Sequence, residues 1–179
     1  MAIGLALPTV GGSSNTWGST LNTALTQLNT YDLFARKTAS QALPAVTLVD
    51  DNALSLSMTV VSSVYLVQWS LRTDGLAAAD FRYSFVGPTG ATMTWSSLGL
   101  DVAATTIITA STDQDAPLIG TNVLHGTIAV GTTSRVEGTG LLIMSTNTGV
   151  FKMQVAQGTG NATASNILLG SWMLARQVA

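Results

Sequence analysis

From Gln41 to Ala179 apolar and polar residues alternate with a period of two, the spacing of a strand with one buried face. Leu54, Leu56, Met58 and Val60 alternate with Ser55, Ser57 and Thr59. Tyr65, Val67, Trp69 and Leu71 share one face of the next segment, with Val64, Leu66, Gln68 and Ser70 on the other. Phe81, Tyr83 and Phe85 form a third set. The turn signal Gly87-Pro88-Thr89-Gly90 follows, then Met93 and Trp95 on one face. Further strands are expected over Thr105–Ala110, Leu124–Val130, Ser134–Ser145, Val150–Gln157 and Asn166–Val178. In the last of these Leu168, Trp172 and Leu174 lie on one face, and Trp69, Trp95 and Trp172 all fall at positions expected to alternate inward. About nine or ten short strands with Gly, Asn, Thr and Pro between them predict an all-β sandwich of the jelly-roll kind. The stretch from Leu98 to Pro117 reads as a long exposed loop around a short strand.

Residues 1–39 follow a different pattern. Leu7-Pro8-Thr9-Val10-Gly11-Gly12-Ser13-Ser14-Asn15 reads as an extended arm with turns, and Pro8 biases Leu7 toward extended backbone. Trp17, Leu21, Ala24, Leu28, Tyr31 and Ala35 then recur at spacings of three and four, one face of a short helix that Asn15 or Thr16 can cap. Such a helix is marginal alone in water. Three placements are open: packed on its own domain, in a bundle between identical subunits with Leu21, Ala24, Leu28 and Tyr31 as the seam, or ordered only on binding. The expected division is an arm and short helix over 1–39 and a β-sandwich over 40–179.

Charge sharpens this picture. Only 9% of the 179 residues are charged, against about 25% in average domains, and none of the first 31 is. Leu141-Leu142-Ile143-Met144 and Ile167-Leu168-Leu169 are apolar on both faces, so one face needs cover beyond the sandwich core. Packing between subunits supplies it. The absence of cysteine excludes disulfides, thiolate zinc sites and cysteine nucleophiles. The seven Lys and Arg residues are scattered, which argues against nucleic acid as a partner. No run of 18 apolar residues suggests membrane insertion, and the N-terminus lacks the basic region of a secretory signal.

Candidate chemistry is sparse. The single histidine, His125, can in principle serve as a base or ligand, but reads better as a strand residue with a satisfied ring. Asp50-Asp51, followed by Asn52, reads as a solvated turn, with a weak calcium site as the sharper alternative; in a strand the two would face opposite ways. Asp113 and Asp115, two apart, can share a cation in an extended loop, yet the rest of a calcium loop is missing. Arg135 and Glu137 suit same-face pairing on a strand. Asn161-Ala162-Thr163 matches the glycosylation pattern by chance. No nucleophile elbow or phosphate loop is present. No catalytic residue, metal or cofactor is expected.

The run Leu7-Pro8-Thr9-Val10-Gly11-Gly12-Ser13-Ser14-Asn15-Thr16-Trp17-Gly18-Ser19-Thr20-Leu21-Asn22 resembles an N-terminal motif of tailed-bacteriophage virion proteins. Phe34-Ala35-Arg36-Lys37-Thr38-Ala39 looks like the junction into their next domain. Pro88-Thr89-Gly90-Ala91-Thr92-Met93-Thr94-Trp95-Ser96 and Gly170-Ser171-Trp172-Met173-Leu174-Ala175-Arg176 are similar to their distal domains, which resemble the trimeric C1q and tumour-necrosis-factor jelly rolls. The resemblance implies a non-enzymatic virion surface protein, assembled in the host cytoplasm. It would be a homotrimer, docked on phage capsid or tail proteins through Leu7, Pro8, Val10, Gly11, Gly12, Trp17 and Gly18. Small size favours a capsid decoration, cement or head-fibre protein. The alternative is a tail-fibre or receptor-binding protein that recognises host surface glycan. A polysaccharide hydrolase is disfavoured, because no paired carboxylates sit in a recognisable cleft setting.

Overall fold

The computed structural model describes residues 32–102, 111–116 (backbone only) and 119–179. The arm and the helical seam up to Tyr31, and the strand expected over 105–110, lie outside the described residues. Among the described residues there are twelve strands: β1 (Asp32–Arg36), β2 (Gln41–Leu43), β3 (Val49–Met58), β4 (Val64–Asp74), β5 (Phe81–Val86), β6 (Thr92–Leu100), β7 (Ser111–Ala116), β8 (Val123–His125), β9 (Ser134–Ile143), β10 (Gly149–Gln157), β11 (Ser165–Ile167) and β12 (Trp172–Gln177).

Their pairing is nested. β1 pairs with β12, β3 with β10, β4 with β9 and β5 with β8, all antiparallel. The nested pairs fall alternately in two sheets, ordered β1-β12-β4-β9-β6-β7 and β3-β10-β5-β8. One long folded hairpin rolled into two layers gives this order, which makes the domain a jelly-roll sandwich, as the alternation predicts. Two short strands, β2 and β11, finish the larger sheet beside β4. The β6–β7 hairpin is inserted between β5 and β8, at the tip of the nest, and extends the larger sheet past β9.

The core lies between the sheets and is filled by the alternating sets. Leu54, Leu56 and Met58 on β3, Tyr65, Val67, Trp69 and Leu71 on β4, Phe81, Tyr83 and Phe85 on β5, and Phe151, Met153 and Val155 on β10 are all buried. At its centre Trp69 meets Phe85 edge-on at 4.9 Å and Trp95 at 5.6 Å, while Phe85 stacks on Phe151 at 5.2 Å. Offset and edge-on aromatic contacts of this kind add about 0.5–1.5 kcal/mol each beyond area burial.

Two indoles on neighbouring strands need room on the strand between them. β9 supplies it by presenting Gly138 opposite Trp69 and Gly140 opposite Trp95. A Cβ at Gly138 would overlap the Trp69 ring, and one at Gly140 would lie 2.5 Å from Trp95 Cβ and 2.6 Å from Met93 Cε.

Several local expectations change. The helical spacing that ends at Ala35 runs into a strand: Leu33 and Ala35 point to the core, while Phe34 faces out. The sandwich therefore includes Asp32–Arg36, ahead of the expected boundary at 40, because β1 pairs along its whole length with β12. The strand expected over Leu124–Val130 stops at His125, where Gly126 closes against the backbone of Asp101 and donates its N–H to Leu100 O at 2.8 Å. The run Asn166–Val178 is split by a turn in which Gly170 adopts a φ of +86°. Within the stretch Leu98–Pro117, β6 continues to Leu100 and pairs with the short strand β7.

Substituting Gly138 with Ala should overpack the core at Trp69 and destabilise the domain by about 1–3 kcal/mol. Urea denaturation followed by Trp fluorescence measures this; an unchanged midpoint contradicts the packing account.

Candidate functional site: the outer face of the larger sheet

The two sheets present very different surfaces to the outside. On the smaller sheet the outward residues include Ser55, Ser57, Arg82, Lys152 and Gln154, register neighbours across β3, β10 and β5. Asp50 joins them, bound to the Lys152 ammonium and, at 2.8 Å, to the Gln154 amide. The Lys152 hydrogen bond, followed by that from Gln154, holds the Asp50 carboxyl below its ordinary value. This is an ordinary solvated face.

The outer face of the larger sheet is built in four rows across the strands. They read Val64–Ile143–Thr92; Asp32–Arg176–Leu66–Leu141–Thr94; Phe34–Leu174–Gln68–Thr139–Ser96; and Arg36–Trp172–Ser70–Glu137–Leu98. Large apolar side chains stand in the open here: Phe34 is 60% exposed, Ile143 52%, Leu98 50% and Leu141 45%. Each, already about half covered, forgoes about 1 kcal/mol of further burial. Charged residues stand on this face too, among them Arg72 on the central strand β4, opposite Arg135 on β9. Arg176 pairs with Asp32 at 2.8 Å beside β1, and Arg135 with Glu137 at 3.3 Å on β9, the same-face pairing the sequence suggests. The two-faced apolar strands of the sequence lie here: Leu142 and Met144 are buried, whereas Leu141 and Ile143 face out.

Trp172 corrects the sequence reading. Met173 and Ala175 take the inward positions of β12, so Trp172 and Leu174 face out, half-buried. The Trp172 ring stacks on Phe34 at 6.3 Å with 30° between planes, which forms an aromatic ridge at the β1 flank. The inward set on both sides of the Gly170 turn is Ile167, Met173 and Ala175, not Leu168, Trp172 and Leu174.

The titratable candidates resolve into structural roles. Asp50 and Asp51 lie in β3, not in a turn, and face opposite sides. Asp51 Oδ2 accepts from Lys37 Nζ at 2.7 Å, with both side chains wholly enclosed. Lys37 also donates to Asn52 Oδ1 at 2.7 Å and Gln41 Oε1 at 3.3 Å. Asp51 Oδ1 accepts the N–H groups of Ala53 at 2.9 Å and Leu54 at 2.8 Å. The ammonium thus has three acceptors, and the pair ties the chain just after β1 to a bulge in β3, where the register with β10 shifts. With both carboxylates taken by lysines, a calcium site at this pair has no free ligands.

His125 is fully buried, its Nε2 2.9 Å from Ser97 Oγ and its ring stacked on Tyr83 at 6.1 Å. A Cβ at Gly99 would lie 2.6 Å from Nδ1. Burial pulls the imidazole down to about 4 and pushes the Tyr83 phenol above its ordinary value. This Ser–His pair is sealed inside the sandwich, where no substrate reaches it. Asp113 and Asp115 lie on β7, opposite Leu98 and Ser96 in register. Asn161 turns its side chain back to the Thr163 N–H at 2.9 Å. No group of three or more His, Cys, Asp or Glu among the described residues is placed to hold a metal ion, and no described helix is long and apolar enough to cross a membrane. The anchoring residues Leu7, Pro8, Val10, Gly11, Gly12, Trp17 and Gly18 and the seam Leu21, Ala24, Leu28 and Tyr31 lie outside the described residues.

No protein-family model matches the chain, and no curated protein matches it in sequence. Among solved structures it is similar to the tripod (BppUct-A-L) from the baseplate of bacteriophage Tuc2009, at 12% identity over 99% of this chain and 100% of that one, with a TM-score of 0.33. A second likeness is to infectious bursal disease virus Gx strain, at 11% identity over 83% of this chain and 36% of that one, with a TM-score of 0.14. At these scores neither match says what this chain does.

Two outcomes follow from the buried groups. Asp51→Ala leaves Lys37 enclosed without its counter-charge and should cost about 3–5 kcal/mol of stability, read from the urea midpoint; a loss under about 1 kcal/mol contradicts the buried pair. For His125, the unfolded imidazole titrates near 6.5 and the folded one near 4. Between those values the unfolded state binds more protons, so stability falls as pH drops through the window, by up to about 3 kcal/mol. Urea midpoints at pH 7 and pH 5 should differ less in His125→Asn than in the native chain; equal differences rule out this source.

Proposed function

We propose that this chain is a non-enzymatic structural protein of a tailed-phage virion: a homotrimeric capsid decoration, cement or head-fibre protein. Its N-terminal arm, Leu7 to Gly18, docks on the shell, and its jelly roll projects outward. The observation that carries this reading is the apolar outer face of the larger sheet. A jelly roll whose core is already full has no internal use for Phe34, Leu66, Leu141, Ile143 and Leu174, and association of copies covers them. The uncharged first 31 residues, with their Pro-Gly-Gly and Thr-Trp-Gly units, support a second buried surface toward the particle. The stretch from Asp101 to Pro117, between β6 and β8, favours a second reading, attachment to a host-cell glycan by a tail-fibre or receptor-binding protein.

Titrating the purified protein onto empty capsids should saturate at a fixed number per shell. Deleting residues 1–18 should abolish that binding while leaving the β domain assembled. Decoration by the truncated protein overturns the anchoring role. Failure to bind capsids, together with binding to host cells that soluble glycan competes away, replaces decoration with attachment.

A further inference from the structure

Lys37 holds an amine against both a carboxylate and a carboxamide. Its Nζ lies 2.7 Å from Asp51 Oδ2 and 2.7 Å from Asn52 Oδ1. The Lys37 and Asp51 side chains are wholly enclosed. Adjacent residues of a regular strand point to opposite faces, so Asp51 and Asn52 should not reach the same atom. They do so because β3 is irregular here, opposite the register shift in β10. Every member of the cluster is held in place. The Lys37 N–H donates to Ser171 O at 2.8 Å, and its carbonyl accepts from the Gly170 N–H at 2.9 Å. Gln41 Oε1 accepts the Asn52 N–H at 3.1 Å and a Lys37 proton at 3.3 Å. Asp51 Oδ1 is taken by the Ala53 and Leu54 N–H groups, so Oδ2 is the oxygen left to the ammonium. An ion pair needs only Asp51. Asn52 adds an acyl carbon one bond beyond the oxygen that Nζ touches, and its exposure gives a leaving group a path to water.

We propose that Lys37 and Asn52 join in an intramolecular isopeptide bond, with Asp51 as the proton carrier. Asp51 Oδ2 takes a proton from the Lys37 ammonium, and the freed amine attacks Asn52 Cγ. Asp51 then passes that proton to Asn52 Nδ2 and takes the second proton from the attacking nitrogen. The Cγ–Nδ2 bond breaks, the Cγ–Nζ amide remains, and the departing nitrogen takes the last proton from Asp51. The net change converts one ammonium and one carboxamide into one secondary amide and one free ammonium ion. Nothing is oxidised or reduced, and the Asp51 carboxylate is regenerated. Asn52 is the acyl donor because a carboxylate resists attack and Asp51 is needed as the base. Fixed proximity supplies what two free groups in water lack. The bond ties the chain leaving β1 to the smaller sheet and restricts the unfolded chain as a disulfide would, in a protein without cysteine.

The intact mass of the denatured full-length chain, after prolonged incubation of the folded protein at neutral pH, decides the matter. It should fall about 17 Da below the sequence value, the mass of ammonia, with any removal of Met1 counted separately. Trypsin cannot cut after an acylated Lys37, so residues 37–72 should appear as one looped peptide. Chymotryptic cleavage inside the loop should add one water and leave the two pieces joined. Lys37→Met and Asn52→Ala should each restore the full mass. Asp51→Ala, checked for folding by Trp fluorescence, should form the bond roughly tenfold or more slowly. A native chain that keeps its full mass overturns the proposal without recourse to any variant. A deficit of about 17 Da with trypsin still cutting after Lys37 marks a succinimide at an asparagine and overturns it as well. A cross-link that maps to Gln41 overturns the choice of acyl donor. Undiminished bond formation in folded Asp51→Ala overturns the role of Asp51.

Discussion

A strand presents alternate residues to opposite faces, and a two-layer sandwich can bury only the inner set of each sheet. Everything unusual about this protein follows from that limit. The inner sets fill the space between the sheets completely, to the point that β9 must give up two side chains, at Gly138 and Gly140, to admit Trp69 and Trp95. Leu141, Ile143, Leu174 and Phe34, apolar and in outward register, have to find their cover elsewhere.

The low charge of the chain belongs to the same argument. The smaller sheet carries an ordinary polar exterior around Asp50, Lys152 and Gln154, so the shortage is not general. It is complete in the first 31 residues. The Lys37–Asp51 pair is wholly enclosed. It fixes the end of β1, the strand through which the N-terminal segment enters the sandwich, to the opposite sheet at the β3 bulge.

Much of the fold was legible because its strands obey local alternation. β3, β4, β5 and β10 each show a clean inward set, and the Gly87–Gly90 turn breaks the chain where β5 ends. The features that were not legible depend on distant partners. Leu33 and Ala35 fit a strand, but Ala35 also continues a helical spacing from Trp17, and only pairing with β12 decides between them. Asp50-Asp51-Asn52 carries every local mark of a turn; a lysine 14 residues earlier converts it into the buried end of a strand. Trp172 belongs to a run, Ile167-Leu168-Leu169 and Trp172-Met173-Leu174, that is apolar at both parities, so local alternation alone does not say which set faces in. The two-faced strands, by contrast, did signal the outer face in advance, since Leu141 and Ile143 needed cover in any register that buried Leu142.

The central claim is that the outer face of the larger sheet is covered in solution and that of the smaller sheet is not. Hydroxyl-radical footprinting of the intact chain tests it most directly, because Phe34, Leu141 and Ile143 on one face and Val150 on the other are similarly exposed in a single copy. Oxidation of Phe34, Leu141 and Ile143 should be several-fold slower than their intrinsic reactivity predicts, while Val150 reacts at the rate of an open side chain. Equal labelling of both faces would contradict the account.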